Sequence, residues 1–121
     1  MDKIVIKGLK VFAYHGVNAV EKENGQNFIV DVILHADLSS ACKSDNLSDT
    51  INYATVRKTI TKTLTDNRYD LIEAAAGNTA QAILTEFPKV KTVEITLKKP
   101  EAPMNAEFDY VAVNIKREQL A

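Results

Sequence analysis

Residues 28–36 constrain this chain more than any other stretch. Phe28, Val30, Val32, Leu34 and Ala36 alternate with Ile29, Asp31, Ile33 and His35. A two-residue period is the signature of a strand. The first set is wholly apolar, while the second is only partly polar. A strand with two semi-apolar faces belongs to a sheet that is covered on both sides. We place this strand at Phe28 to Leu38. A second strand reads from Lys3 to Tyr14, with Ile4 and Ile6 in one phase and Leu9, Val11 and Ala13 in the other. A bulge or bend at Gly8 reconciles the two halves. The charged segment around Glu21 to Gly25 reads as a long connection between these strands.

Helical spacing begins after a polar stretch from Ser39 to Asp49. Val56, Ile60 and Leu64 mark a helix from about Asn52 to Leu64, capped by Asp49 or Asn52. Ile72, Ala76, Thr79, Ala80, Ile83, Leu84 and Phe87 mark another, from about Leu71 to Phe87, stopped by Pro88. Alternation returns from Val90 to Lys99, ended by Pro100 and Pro103, and again from about Phe108 to Lys116. The order strand-strand-helix-helix-strand-strand points to an α+β fold with helices on one face of a largely antiparallel sheet. A ferredoxin-like order is disfavoured, because no helix is expected between the first two strands. At 121 residues the chain is expected to form one domain, 1–121. Two sheet edges and a second semi-apolar face need protection, so a homo-oligomer is expected.

The net charge of -1 offers no general attraction to nucleic acid or to anionic membrane. Phe12 and Tyr14 near Lys10 are explained more simply as strand packing than as a platform for bases. No apolar run is long enough to span a bilayer, and the first residues lead into Ile4-Val5-Ile6 without a secretory leader. Cys42 is the single cysteine, in a polar stretch, and reads as a surface thiol. A cytoplasmic location is the expectation.

Four residues beside breaks in the elements invite chemistry: Glu21, Tyr53, Glu73 and Lys99. Each has an ordinary explanation. Glu73 suits a helix first turn. Tyr53 suits packing at a helix start. Glu21 lies in a charged run that reads as solvated surface. Lys99 continues the apolar phase of its strand, and burying an unpaired ammonium is costly, although lysines also snorkel. His15 reads as a packed strand-end histidine, and His35 as a sheet-face one. Neither sits in a metal-ligand spacing. With four glycines and no phosphate-cradling pattern, no nucleotide loop is present.

In order and spacing, several short segments resemble the bacterial dihydroneopterin aldolases. They are Tyr14-His15-Gly16-Val17, Glu21, Gly25-Gln26, Ile51-Asn52-Tyr53, Leu71-Ile72-Glu73 and Lys99-Pro100-Glu101-Ala102-Pro103. The resemblance covers nearly the whole chain. It implies the tunnelling fold, assembled as a homo-tetramer or homo-octamer with active sites between subunits. It also implies a lyase that splits 7,8-dihydroneopterin into 6-hydroxymethyl-7,8-dihydropterin and glycolaldehyde in folate biosynthesis. Side-chain epimerisation accompanies cleavage in many members. No metal or other cofactor is implied, because the pterin's own N5=C6 bond can accept the electrons released. The resemblance assigns Glu73 to the amino-pyrimidine edge of the pterin. Lys99 becomes the candidate for proton removal, directly or through water. Since a free lysine titrates at about 10.4, partial burial or a nearby positive group would favour that role. Tyr53 would stack near the ring and assist protonation, and Glu21 would hold the reactive water or the substrate hydroxyls. The Ile72 backbone, Ile51 and Asn52 would complete the pterin pocket. Gly25 and Gln26 are expected to shape the start of the second strand. Asn18-Ala19-Val20 and Met104 depart from common family patterns, leaving local pocket shape open. The alternatives are an epimerase of dihydroneopterin or its triphosphate, and a noncatalytic pterin-binding oligomeric module.

Overall fold

The structure is a computed structural model and describes residues 1–120. Four strands form one antiparallel sheet in the order β1-β2-β3-β4: β1 Asp2–Ala13, β2 Gln26–Ala36, β3 Thr92–Lys99 and β4 Val111–Glu118. Two long helices, α3 Tyr53–Asp66 and α4 Ile72–Glu86, connect β2 to β3 and cover one face. Two short helices, α1 Ala19–Asn24 and α2 Ser39–Ser44, lie in the connections, with a single 3-10 turn at Leu47–Asp49.

The alternation in β2 sets the layers. Phe28, Val30, Val32, Leu34 and Ala36 are all buried beneath the helices. They meet Val56, Ile60 and Leu64 of α3 and Ala75, Ala76, Ala80 and Ile83 of α4 in one core. Each large apolar side chain removed from water there contributes about 1.5–3 kcal/mol. Val93, Ile95 and Leu97 of β3 join the same core. On the opposite face Ile29, Asp31, Ile33 and His35 are only half-buried. Nothing among the described residues is layered over them.

The break in phase of β1 is a bulge between Ile6 and Leu9. Gly8 takes φ +74 there, a left-handed conformation natural to glycine. Its N–H donates to Asp31 Oδ1 at 2.7 Å, and Asp31 Oδ2 pairs with Lys98 Nζ at 2.9 Å. The bulge is therefore fastened to β2 and β3 from the open face.

Helix starts agree with the sequence to within a residue. Asn52 caps α3, its Oδ1 accepting from the Ala54 N–H at 3.0 Å. Three differences stand out. A helix does separate the first two strands, but α1 has six residues and β1 and β2 remain adjacent and antiparallel, so no crossover results. The Ser39 to Asp49 stretch holds α2 and the 3-10 turn, too short to show an apolar period. β4 begins at Val111 rather than Phe108 because its partner β3 ends at Lys99, which pairs with Val111, and Pro100 follows. No helix is long and apolar enough to cross a membrane among the described residues.

Candidate active site

The end of β1 organises the site. His15 is fully buried, its Nδ1 accepting from the Tyr69 N–H at 3.0 Å. Gly16 N–H donates back to the Tyr69 carbonyl at 2.9 Å. The imidazole packs against the rings of Phe28 and Tyr69, each centroid 5.3 Å away. Burial lowers the His15 pKa, as does the positive charge of Lys99, with the Leu64 backbone partly opposing them. A neutral imidazole is also what an Nδ1 acceptor requires. The Arg68 guanidinium stacks 4.7 Å over the Tyr14 ring, and Lys22 pairs with Asp70. The segment leading into α4 is thus tied to the end of β1, which fixes where Glu73 stands.

Glu21 sits in the first turn of α1, where its backbone N–H donates to the Asn18 carbonyl at 3.1 Å. It is not solvated: the residue is 7% exposed. Its Oε2 pairs with Lys99 Nζ and accepts from Gln26 Nε2 at 2.9 Å. Its Oε1 faces the Asn18 N–H at 3.4 Å. Burial pushes the Glu21 pKa up, but Lys99, Gln26 and Asn18 together overcome that and hold it low. A carboxylate is therefore the resting form. Gly16 makes room for it, since a Cβ at that position would lie 2.3 Å from the carboxylate carbon.

Lys99 ends β3 in phase with Val93, Ile95 and Leu97, and its side chain is 12% exposed. The group beside it is negative rather than positive. The side chain is held in place by its ion pair with Glu21, not set by a like charge beside it.

Lys99 opens into a cleft of about 320 Å³ lined by Val17, Leu71, Ile72, Glu73, Met104 and others. Ile72 is buried and Glu73 is exposed in the first turn of α4. Glu73, Ile72, Lys99 and, behind it, Glu21 are thus brought together by one chain. Tyr53, Asn52 and Ile51 are not. They line a separate cleft of about 390 Å³ with Ile4, Leu38 and Leu47. No described residue lines both clefts, and Tyr53 is 65% exposed at its rim. A larger groove of about 440 Å³ runs along α3 and α4 past Lys58, Lys62 and Asp66. None of the candidate residues borders it.

Gln26 is the polar partner that sequence reasoning did not assign to this group. A signal was present: Gln26 lies in the buried phase of β2, two residues before Phe28, where an amide is out of place. No group of three His, Cys, Asp or Glu side chains is placed to hold a metal ion among the described residues.

Two long helices on one face of a four-stranded antiparallel sheet, with polar side chains clustered at the ends of β1 and β3 beside a cleft, are the arrangement that the resemblance to the tunnelling-fold aldolases implies. The sequence profile of the dihydroneopterin aldolase family (FolB) matches residues 4–116. Dihydroneopterin aldolase of Streptococcus pyogenes serotype M18 is 33% identical over 98% of this chain and 100% of its own length. That of Methylorubrum extorquens is 37% identical over 96% and 89%. The crystal structure of a putative dihydroneopterin aldolase (FolB) from Vibrio cholerae superposes with a TM-score of 0.90 at 33% identity, covering 98% of both chains. Escherichia coli dihydroneopterin aldolase, crystallised with neopterin, gives 0.89 at 32% identity over 97% and 99%. A uricase from Bacillus fastidious, 12% identical with a TM-score of 0.67, shares the fold alone. The chain belongs to the dihydroneopterin aldolase family.

Proposed function

We propose that the Glu73–Lys99 cleft of one chain and the Tyr53 cleft of a neighbouring chain close on each other to form one pterin site. The reaction is the aldolase cleavage of 7,8-dihydroneopterin, a lyase step in folate biosynthesis. The observation that carries the assignment is a lysine, 12% exposed and held by a buried carboxylate, at an apolar cleft whose rim carries a free acid.

The hydroxyl on the second side-chain carbon loses its proton and becomes the aldehyde of glycolaldehyde. The bond to the first side-chain carbon breaks, and its electron pair moves into the ring as N5=C6 becomes an enamine. A proton returned to that first carbon completes 6-hydroxymethyl-7,8-dihydropterin. The protein has to align the ring, exclude competing positions and move a proton. Glu73 accepts two parallel hydrogen bonds from the pterin N–H and exocyclic amine. Ile72, Ile51 and Asn52 form the slot. Lys99, directly or through water, takes the hydroxyl proton and relays it. Glu21 holds Lys99 and the reactive water or substrate hydroxyls. Tyr53, supplied by the neighbour in a ring of four or eight chains, stacks near the ring and assists protonation.

The test is anaerobic incubation with 7,8-dihydroneopterin, without added metal, and identification of every product by mass. Glycolaldehyde with 6-hydroxymethyl-7,8-dihydropterin is expected. An isomer of unchanged mass as sole product would make the chain an epimerase. Binding without turnover would make it a pterin-binding module.

A further inference from the structure

Gln26 belongs to the first residue of β2 and is 6% exposed. Its Nε2 donates to Glu21 Oε2, the same oxygen that pairs with Lys99. A carboxylate only accepts hydrogen bonds, so the amide must turn its NH₂ end toward Glu21. That leaves Gln26 Oε1 buried with no partner among the described residues. An unpaired buried acceptor opposes folding. A packing role at this position, in phase with Phe28 and Val30, would be met better by an apolar side chain. What the amide does for Glu21 is the reason left.

We propose that Gln26 is a positioning residue, whose amide holds the Glu21 carboxylate charged and in place while Lys99 passes between its protonated and neutral forms. This rests on the reading of Lys99 and Glu21 as the proton-handling pair. The two donors to Glu21 differ in kind. The lysine proton is the one the reaction moves, whereas an amide keeps its hydrogens at any ordinary pH. When Lys99 is neutral, Gln26 and the Asn18 N–H are the donors that remain. Without Gln26 a buried Glu21 would compete for the proton Lys99 is meant to deliver. The remaining neighbours do not replace it. His15, from the end of β1, is held neutral by burial. Lys22, on the same short helix, is engaged with Asp70. Gly16 supplies space and no donor.

Two variants test this, Gln26→Met, which keeps the length and removes the donor, and Gln26→Glu, which keeps the shape and adds a second acid. One readout needs no turnover: the Glu21 carboxyl is followed by carbon-13 NMR through a pH titration of the free protein. It should titrate at higher pH in both variants. The other readout is kcat and KM for 7,8-dihydroneopterin as functions of pH. We expect kcat to fall about tenfold or more, as for loss of a group aligning a proton transfer, with KM nearly unchanged and the acidic limb of the profile moved upward. If Gln26→Met does not fold, judged by lost pterin affinity and circular dichroism, Gln26→Glu decides by the same criteria. An unmoved Glu21 titration in a folded variant overturns the proposal. So does a moved titration with an unaltered kcat profile. If the unmodified chain releases no glycolaldehyde, the aldolase reading fails, while the Glu21 titration still judges Gln26.

Discussion

A methyl group at position 16 would occupy the space of the Glu21 carboxylate, with its nearest contacts at 2.3 to 2.5 Å. Gly16 also has φ +152, which L side chains rarely adopt. Gly16→Ala should therefore displace Glu21 and, through it, Lys99, while leaving Glu73 on its helix. Steady-state kinetics should show kcat reduced about 100-fold, the scale of a misplacement of about 1 Å in an active site. Pterin affinity, measured by fluorescence titration, should change far less. Equal losses of both would show that the turn shapes the whole cleft. Sequence alone suggested Glu21 and Lys99 separately, because each sits at a break. It could not show that they pair, since the contact depends on β3 being carried back beside β2 and on α1 folding Glu21 inward. The charge run around Glu21 reads as solvated surface for the same reason.

At the scale of elements, the bulge of β1 and the cap of α3 each rest on one side chain. Asp31 joins the Gly8 N–H to Lys98. Burial raises its pKa, but the Gly8 N–H and Lys98 outweigh burial and hold it below the usual value. A folded-state carboxyl pKa below the unfolded one stabilises fully above the unfolded pKa, about 3.9, and the gain is lost as pH falls through the folded value. Asp31→Asn should thus be less stable than the parent at neutral pH in urea unfolding. The difference should shrink as pH falls below about 4. A difference constant with pH would place the loss in packing. Replacing Asn52 by alanine removes the acceptor for Ala54 N–H and should cost about 1 kcal/mol in the same assay. The long elements were legible because their periods run over many residues: β2 by alternation, α3 and α4 by helical stripes, Gly8 by a change of phase. Helices α1 and α2 were not. Six residues span under two turns, too few for a stripe, and the burial of Glu21 comes from contacts outside its helix.

For the whole molecule, the two clefts matter most. Each holds part of the proposed constellation, and no described residue lines both. β1 and β4 are the sheet edges, with backbone groups free to pair with another chain. The face carrying Ile29 and Ile33 has no layer over it among the described residues. Head-to-tail pairing of β1 with β4 of the next chain would satisfy the edges, and the proposed site requires that the same assembly bring the Tyr53 cleft of one chain to the Lys99 cleft of the next. The arrangement has a consequence that single variants cannot mimic. Tyr53→Ala and Lys99→Ala chains should each be nearly inactive. Unfolded together in equal amounts and refolded, they should form hybrid rings. In a head-to-tail ring each site draws Tyr53 from one chain and Lys99 from its neighbour, so random mixing leaves about a quarter of sites with both groups intact. Activity should recover to about that fraction of the parent rate. If both groups of a site came from one chain, every site in the mixture would lack one of them, and the mixture would be as inactive as its components.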